Sequence, residues 1–354
     1  MKCTTVIGAR PQFIKVAPIS RAFAAAGIEQ VLVHTGQHYD SKMSEVFFRE
    51  LEIPLPQHSL GLGGGTHGAM TGRMLEGIEK ILLEDRPDWV LVFGDTNSTL
   101  AGALAATKLH LPVCHVEAGL RSWNRRMPEE INRVLTDHVS ARLFCSSEPG
   151  VENLRREGIT EGVEMVGDVM ADTNKLAQEV VAGRSAEFLR TAAPEVLEDE
   201  FALLTLHRAE NPDDPARFRA LVEQLNRLHT RVVFPVHPRT QKALAREDLS
   251  LGDHIITMDP VGYLEMVVLL DQARLVLTDS GGLQKEAYWS RTPCLTLRTE
   301  TEWVETVEAG WNVVLGDKVE SLSSMVDAVT EPPSWEPLYG DGNAAGRIVA
   351  ALST

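Results

Sequence analysis

The chain has 354 residues, enough for two domains that each bury a core, and its charged and apolar fractions are those of a globular protein. Its formal net charge of −16 argues against a surface for nucleic acid or anionic membrane, although local cations can still bind a small anion. No apolar run reaches the roughly 18 residues of a transmembrane helix, and MKCTTVIGARP begins like a strand rather than a signal peptide, so we expect a cytoplasmic protein without membrane insertion.

Short β-rich runs alternate with helical patterns along the whole chain. The predicted strands are, in order, CTTVIG, QVLVHTG, DWVLVFG, PVCHVE, ARLFCSS, EMVGDV, FALLTLH, RVVFPVH, HIITMDP, ARLVLTDS, TPCLTLR and NVVLGD. They are continuously apolar, as expected of parallel strands that are covered on both faces. Helical patterns such as APISRAFAAAG, EEINRVLTDHVS and PARFRALVEQLNRLH lie between them, which indicates a doubly wound α/β fold.

Twelve strands are too many for one compact sheet of this kind, so the sequence predicts two Rossmann-like domains. We place the N-terminal domain at 1–170 and the C-terminal domain at 171–335. The Pro-rich stretch EPPSWEP precedes a final helical pattern, which we assign to a separate C-terminal helix at 336–354.

Polar clusters follow the predicted strands where ligands bind in open parallel sheets, beyond the carboxyl ends. The clusters are GARPQFIK, GDTNST and HVEAGLRS in the first half, and TLHRAEN, PVHPRT and TDSGGLQKE in the second. Two sheets that face each other across a central cleft would bring these ends together. We therefore expect the functional site at that cleft.

Two of these clusters suit a phosphate group. Ser280, Gly281 and Gly282 lead from a strand into a helix, where unpaired N–H groups and the helix dipole favour an anion. An ordinary serine cap with a glycine turn explains the same letters equally well. Arg10 and Lys15 lie beside the first helix start and suit a second phosphate contact or a leaving-group charge, but surface charge is the common alternative.

The carboxylates at strand ends suit acid–base chemistry. Asp95 follows the third predicted strand, and Glu117 lies inside an otherwise apolar run, where a carboxylate is costly unless it is paired or used. Glu129 and Glu130 open a helix after Pro128, a position that the helix dipole alone favours. Their functional and structural interpretations stay open at this point.

Neither the histidines nor the cysteines indicate a metal. His207 and His237 each end an apolar strand, but no His, Cys or Asp cluster has the spacing of a zinc site, so we predict no catalytic metal. The four cysteines form no CxxC pair and lie in or beside apolar runs, which predicts buried thiols in a reducing compartment; they are Cys3, Cys114, Cys145 and Cys294.

Nearly end to end, the sequence resembles the non-hydrolysing UDP-N-acetylglucosamine 2-epimerase family. The resemblance rests on GARPQFIK, GDTNST, HVEAGLRS, MPEEINR, LHRAEN, PVHPRT and LTDSGGLQKEA, in that order and spacing. It implies two Rossmann-like domains in the glycosyltransferase type B arrangement, with the last helix crossing back to the first domain. It also implies a homodimer that needs no cofactor and serves cell-surface polysaccharide biosynthesis.

The resemblance implies inversion at C2 of a UDP-sugar, through a bound 2-acetamidoglucal and free UDP. Such chemistry needs an acid and a base on opposite faces of C2, and cations with N–H donors for the leaving diphosphate. Residue by residue, it assigns catalysis to Asp95, Glu117, Glu129 and His207, the diphosphate to Arg10, Lys15 and Ser280–Gly282, the ribose to Glu286 and a cleft position to His237.

Some positions depart from the family pattern. Ala9 and Gln12 stand where the family usually has Thr and Glu, and Trp303 and Val304 stand where it usually has an Arg-Pro pair. Ala209 replaces the second of two arginines, which removes a reason to expect allosteric activation by UDP-N-acetylglucosamine. The TEWVE and RPQFIK variants are similar to a sub-branch that acts on UDP-2,3-diacetamido-uronic acids.

Two other functions fit a related architecture. A type B glycosyltransferase would keep the UDP turn but leave Asp95, Glu117 and Glu129 together unexplained. A nucleotide-sugar sensor would bind UDP without turnover. Incubation with a UDP-sugar and no acceptor separates them, because only an epimerase yields the C2 epimer.

Overall fold

The computed structural model describes residues 1–37, 51, 53–182, 187, 191, 194 and 200–353, with Arg10 described by its backbone alone. The strands in these residues are β1 (Lys2–Ile7), β2 (Glu29–His34), β3 (His58–Ser59), β4 (Trp89–Phe93), β5 (Val113–Ala118), β6 (Arg142–Cys145), β7 (Val163–Met165), β8 (Phe201–Thr205), β9 (Arg231–Pro235), β10 (Ile255–Met258), β11 (Leu275–Thr278), β12 (Cys294–Thr296) and β13 (Asn312–Val314).

The helices are α1 (Arg10–Ala25), α2 (His67–Asp85), α3 (Asn97–Lys108), α4 (Pro128–Val139), α5 (Glu148–Arg156), α6 (Val169–Val181), α7 (Pro215–Leu225), α8 (Pro238–Arg246), α9 (Tyr263–Gln272), α10 (Gly281–Trp289), α11 (Val304–Glu308), α12 (Leu322–Ala328) and α13 (Ala344–Leu352). All twelve predicted strands are present, which confirms that continuous apolar runs of this length mark parallel strands. The two-residue β3 was not predicted.

The chain folds into two compact units. Unit 1 comprises Met1–Leu176 and Tyr339–Thr354, and unit 2 comprises Ala177–Leu338. Within unit 1 the C-terminal helix α13 packs against α1. The buried Asp172 accepts the first N–H groups of that helix, from Ala344 at 3.0 Å and Ala345 at 2.8 Å, which satisfies donors that a helix start leaves unpaired.

Each unit contains one parallel sheet flanked by helices, as the doubly wound prediction requires. Unit 1 has seven strands in the order β3-β2-β1-β4-β5-β6-β7, and unit 2 has six in the order β10-β9-β8-β11-β12-β13. The strand order reverses between β1 and β4 in unit 1 and between β8 and β11 in unit 2. In open sheets such a reversal opens a crevice beyond the carboxyl ends of the two strands, where ligands bind.

The four cysteines are free thiols and are buried in these sheets, which confirms the prediction of buried thiols. Burial raises the pKa of Cys3, Cys145 and Cys294 to about 12, so these thiols stay protonated and serve as small apolar side chains. In the described part of the chain, no helix is both long and apolar enough to cross a membrane.

Candidate active site

In unit 1, a buried amide joins the two strand ends at the sheet's switch point. The Gln12 side-chain oxygen accepts the N–H groups of Gly8 at 2.8 Å and Ala9 at 3.0 Å, just beyond β1. Its nitrogen donates to the Phe93 carbonyl at 2.9 Å, at the end of β4. Gln12, one of the departures from the family pattern, therefore fixes the distance between the two loops that border the crevice.

Glu117 lies beside this crevice in an unusual backbone conformation. Its φ is +72°, and the pairing of β5 with β6 shifts register between Val116 and Ala118, so Glu117 is the extra residue of a β-bulge. Bulky residues rarely adopt this left-handed region, and when they do it is often at functional sites. A Cβ on Gly94 would lie 3.1 Å from Glu117 Oε2, so a glycine there leaves room for the carboxylate.

The Glu117 carboxylate forms an ion pair with the ammonium of Lys15, and both side chains are largely buried. Burial lowers the pKa of Lys15, but the carboxylates of Glu117, Asp168 and Asp95 outweigh it, so the pKa lies above its ordinary value. Lys15 is thus a cation surrounded by acidic groups. The phosphate contact expected of Lys15 stays a prediction, and its partner in the structure is a candidate catalytic carboxylate.

Asp95 also has a cationic partner. Its carboxylate pairs with the guanidinium of Arg133, which also contacts the carboxylate of Glu130 at 3.1 Å. Glu130 is buried and accepts the N–H and hydroxyl of Ser122, both at 2.9 Å, so its role is structural. Glu129, the neighbouring carboxylate assigned to catalysis by resemblance, is exposed at the start of α4.

In unit 2, a buried carboxylate organises the loop after β8. Asp279 accepts the backbone N–H groups of His207 and Arg208, both at 2.9 Å, and the side-chain amide of Asn211 at 3.1 Å. Burial lowers the pKa of His207 below its ordinary value; Asp279 opposes this shift, while His237 and nearby arginines add to it. A lowered pKa favours the neutral imidazole, which can accept a proton or donate one.

His207 and His237 lie close together, with ring centroids 5.4 Å apart. Nδ1 of His237 accepts the Arg239 N–H at 3.1 Å, so this ring caps α8 at the carboxyl end of β9. Both predicted histidines therefore border the same edge of the sheet in unit 2.

The serine–glycine turn lies between β11 and α10, as predicted. The Ser280 hydroxyl accepts the Leu283 N–H at 3.4 Å, which makes it an N-cap, and Gly281 and Gly282 form the first residues of the helix. Glu286 follows on α10 and is half-buried. The turn thus presents helix N–H groups at the switch point of unit 2, where an anion is favoured.

Trp303 covers one side of this turn. Its indole N–H donates to the Gly281 carbonyl at 2.7 Å, and its ring lies 4.2 Å from the ammonium of Lys285. A cation therefore lies beside the turn although the arginine of the family pattern is absent.

The predicted site residues thus fall into two groups, one in each unit, and most of them follow the carboxyl ends of strands of that unit's sheet. Lys15, Asp95 and Glu117 belong to unit 1, and the side chain of Arg10 lies outside the described residues. Sequence reasoning missed the partners Arg133 and Asp279, because a pairing across 38 or 72 residues leaves no local pattern. In the described ranges, no three His, Cys, Asp or Glu side chains are grouped to hold a metal ion.

Comparison with known proteins gives a consistent result. A family model described as UDP-N-acetylglucosamine 2-epimerase matches residues 21–353. A UDP-2,3-diacetamido-2,3-dideoxy-D-glucuronate 2-epimerase from Pseudomonas aeruginosa is 49% identical over 364 residues, covering 100% of this chain and 99% of the relative. A UDP-N-acetylglucosamine 2-epimerase homolog from Methanococcus maripaludis is 46% identical over 357 residues, covering 99% of both chains.

Solved structures are similar over the full chain. The UDP-GlcNAc 2-epimerase of Methanocaldococcus jannaschii superposes with a TM-score of 0.90 at 42% identity, covering 100% of this chain and 99% of that one. A second structure of that enzyme, in complex with UDP-GlcNAc and UDP, gives a TM-score of 0.83 at 43% identity with the same coverage.

Proposed function

The chain belongs to the UDP-N-acetylglucosamine 2-epimerase family, and from this premise we propose that it is an isomerase that interconverts UDP-N-acetylglucosamine and UDP-N-acetylmannosamine. A base removes the C2 proton, and the electron pair of that bond forms a double bond between C1 and C2. The C1–O bond breaks and its electrons leave on UDP, which gives bound UDP and 2-acetamidoglucal. Protonation of C2 on the opposite face and return of UDP to C1 complete the inversion.

The observation that carries this proposal is the pair of carboxylates at the switch point of unit 1. Glu117 has Lys15 as its ion-pair partner, and Asp95 has Arg133. Proton removal from one face of a carbon and delivery to the other needs two acid–base groups in fixed positions. In this proposal Asp95 and Glu117 exchange the C2 proton with the help of Glu129.

Unit 2 serves as the UDP-binding domain in this proposal. The N–H groups and hydroxyl of the Ser280–Gly282 turn bind the diphosphate, and Glu286 binds the ribose hydroxyls. His207 stabilises the leaving phosphate oxygen by hydrogen bonding, with His237 beside it. Arg10 adds a cation for the leaving group.

Proton NMR in heavy water tests the proposal directly. The chain is incubated with UDP-N-acetylglucosamine and no acceptor, and we expect the C2 epimer to appear with deuterium at C2, because the proton passes through acid–base groups that exchange with solvent. A C2 epimer that retains its original hydrogen would contradict proton removal. Absence of any epimer, with transfer observed only after an acceptor is added, would instead support a glycosyltransferase.

A second substrate has specific support. The 49% identical relative from Pseudomonas aeruginosa acts on UDP-2,3-diacetamido-2,3-dideoxy-D-glucuronate, a sugar with the same 2-acetamido group and an added carboxylate. The NMR experiment repeated with this sugar decides between the two candidate substrates. The substrate is the UDP-sugar that is epimerised with the larger kcat/KM.

We also propose a cytoplasmic homodimer that supplies an amino sugar for cell-surface polysaccharide. An apolar stripe supports the assembly, because the N-cap residue Met127 and Ile131 and Leu135 of α4 are exposed at four-residue spacing. Two copies of this stripe would cover each other across a twofold axis. A monomer mass in sedimentation equilibrium at micromolar concentration would contradict this assembly.

A further inference from the structure

The mechanism leaves one fully buried histidine unused. His115 lies on β5, two residues before Glu117, and none of its side chain is exposed. Its Nδ1 is 2.6 Å from Asp137 Oδ1, and its Nε2 is 2.7 Å from the Gly94 carbonyl oxygen. The ring therefore bridges α4 and the loop after β4.

Both partners of this ring are hydrogen-bond acceptors. A carbonyl oxygen can only accept. Burial raises the pKa of Asp137, but His115 and Arg121 outweigh it and hold the pKa below its ordinary value, so Asp137 is a carboxylate and also accepts. Each ring nitrogen of His115 must then carry a hydrogen, which makes the ring an imidazolium.

The second oxygen of Asp137 holds the chain on the other side of Glu117. It accepts the Gly119 N–H at 3.1 Å and an N–H of Arg121 at 2.7 Å. Asp137 thus binds residues 115 and 119 at once and brackets the bulge. Gly119 has a φ of +79°, and a Cβ there would lie 2.2 Å from the Gly150 carbonyl oxygen, so the backbone has no room to shift on this side.

The bracket explains how Glu117 keeps a φ of +72°. A residue other than glycine stays in this region only where the surrounding structure holds it. The same His115 ring fixes the Gly94 carbonyl, and Gly94 directly precedes Asp95. One buried ion pair therefore holds the backbone at both candidate acid–base carboxylates.

We propose that His115 and Asp137 form a buried clamp that positions Asp95 and Glu117 for proton transfer at C2, with His115 acting as a positioning residue in its imidazolium form. The clamp touches neither the sugar nor UDP. This inference rests on the proposed function for its kinetic consequence, but the protonation of the ring is a property of the folded chain alone.

The kinetic test compares His115→Gln and Asp137→Asn with the unmodified chain. Small displacements of acid–base groups lower the rate of the chemical step, so we expect kcat to fall by about 10- to 100-fold. The affinity for UDP should change by less than about threefold, because the proposed nucleotide contacts lie largely in unit 2. Asp137→Asn keeps the size and shape of the side chain but removes the charge of a buried ion pair, so the Tm of both variants is measured alongside to show that they fold.

His254→Gln is the matched control. His254 is a half-buried histidine of unit 2 whose Nε2 lies 3.1 Å from the Leu225 carbonyl oxygen, so its replacement also removes a ring-to-carbonyl hydrogen bond. Its kcat should stay within about twofold of the unmodified chain. Equal losses in kcat and UDP affinity for the clamp variants, or no loss in kcat, would overturn the proposal.

Nitrogen-15 NMR of the histidine rings provides the readout that is independent of substrate. We expect the His115 ring of the unmodified chain to carry hydrogen on both nitrogens, as the two acceptors facing it require, and its signals should be absent from His115→Gln. An unprotonated ring nitrogen on His115 would overturn the clamp even if kcat fell. If the unmodified chain epimerises no UDP-sugar, the proposed function fails, while this spectrum still decides whether the clamp exists.

Discussion

The two switch points of the molecule use the same strand arrangement for different purposes. In unit 1 the crevice between β1 and β4 is lined by charged pairs, Lys15 with Glu117 and Arg133 with Asp95. In unit 2 the crevice between β8 and β11 is lined by helix N–H groups and by the N-cap Ser280. The fold determines where a ligand site lies, and the side chains determine whether the site can move a proton or hold an anion.

Backbone conformation separates the two regions as well. Glu117 is held at a φ of +72° in a bulge, whereas Ser280 has an ordinary φ of −83°. Strain of this kind costs about 1–3 kcal/mol and persists only where other contacts compensate for it. We infer that unit 1 provides the proton transfer at C2, whereas unit 2 binds UDP and places His207 at its leaving oxygen, and substitutions in each unit can test that division.

Glu117→Gln should have the largest effect. It should lower kcat and leave the affinity for UDP nearly unchanged. The amide keeps the shape of the side chain but cannot take up a proton, so we expect kcat to fall by about a hundredfold or more. UDP affinity should survive within about threefold. Steady-state kinetics and UDP titration calorimetry measure the two quantities on the same sample.

Glu76→Gln is the control for this substitution. Glu76 is an exposed carboxylate of α2 that pairs with Lys80 at 2.7 Å, so the same chemical change occurs away from the crevice. It should leave kcat unchanged. Normal turnover by Glu117→Gln would show that Glu117 is not a catalytic residue. The proposed division of roles between the two units would then be wrong as well.

Ser280→Ala should weaken the binding of UDP and leave kcat nearly unchanged. Its effect should be smaller than that of Glu117→Gln. The substitution removes a hydroxyl that caps α10 and that we place on the diphosphate. We expect the Kd for UDP to rise by about tenfold, while kcat at saturating substrate stays within about threefold. Ser280→Thr retains the hydroxyl and should bind UDP nearly normally. A fall in kcat without a change in Kd would show that the Ser280 hydroxyl acts on the chemical step rather than on UDP binding.

The sequence predicted the sheets well because burial on both faces leaves a continuous apolar run. It missed β3, since His58 and Ser59 form a two-residue strand with no apolar pattern. It also located the strand ends that carry Asp95, Glu117 and Ser280, because parallel topology places ligands there.

The partners of these residues were beyond sequence reasoning. Lys15 and Glu117 are 102 positions apart, and their pairing depends on the sheet bringing the start of α1 and the end of β5 to the same edge. The left-handed conformation of Glu117 depends on its register with β6, which no local pattern encodes. His115 and Asp137 had a weak signal, since each is a polar residue in an element whose neighbours are buried, but such a residue is ordinarily interpreted as satisfied within the core.

The pH dependence of stability provides the smallest expected effect and a further contrast between the units. Burial lowers the pKa of His207 in unit 2, so the folded chain binds its proton less readily than the unfolded chain does. As the pH falls below the ordinary histidine pKa of about 6.5, the unfolded chain takes up this proton first, and stability decreases until His207 is protonated in the folded state too. At higher pH the ring is neutral in both states and contributes no slope. His207→Gln should therefore flatten the decline of Tm between about pH 6.5 and pH 5 by no more than one proton's contribution. A steeper decline in His207→Gln would mean that folding favours the charged ring, and the neutral imidazole that we assign to the binding half of the molecule would then be wrong.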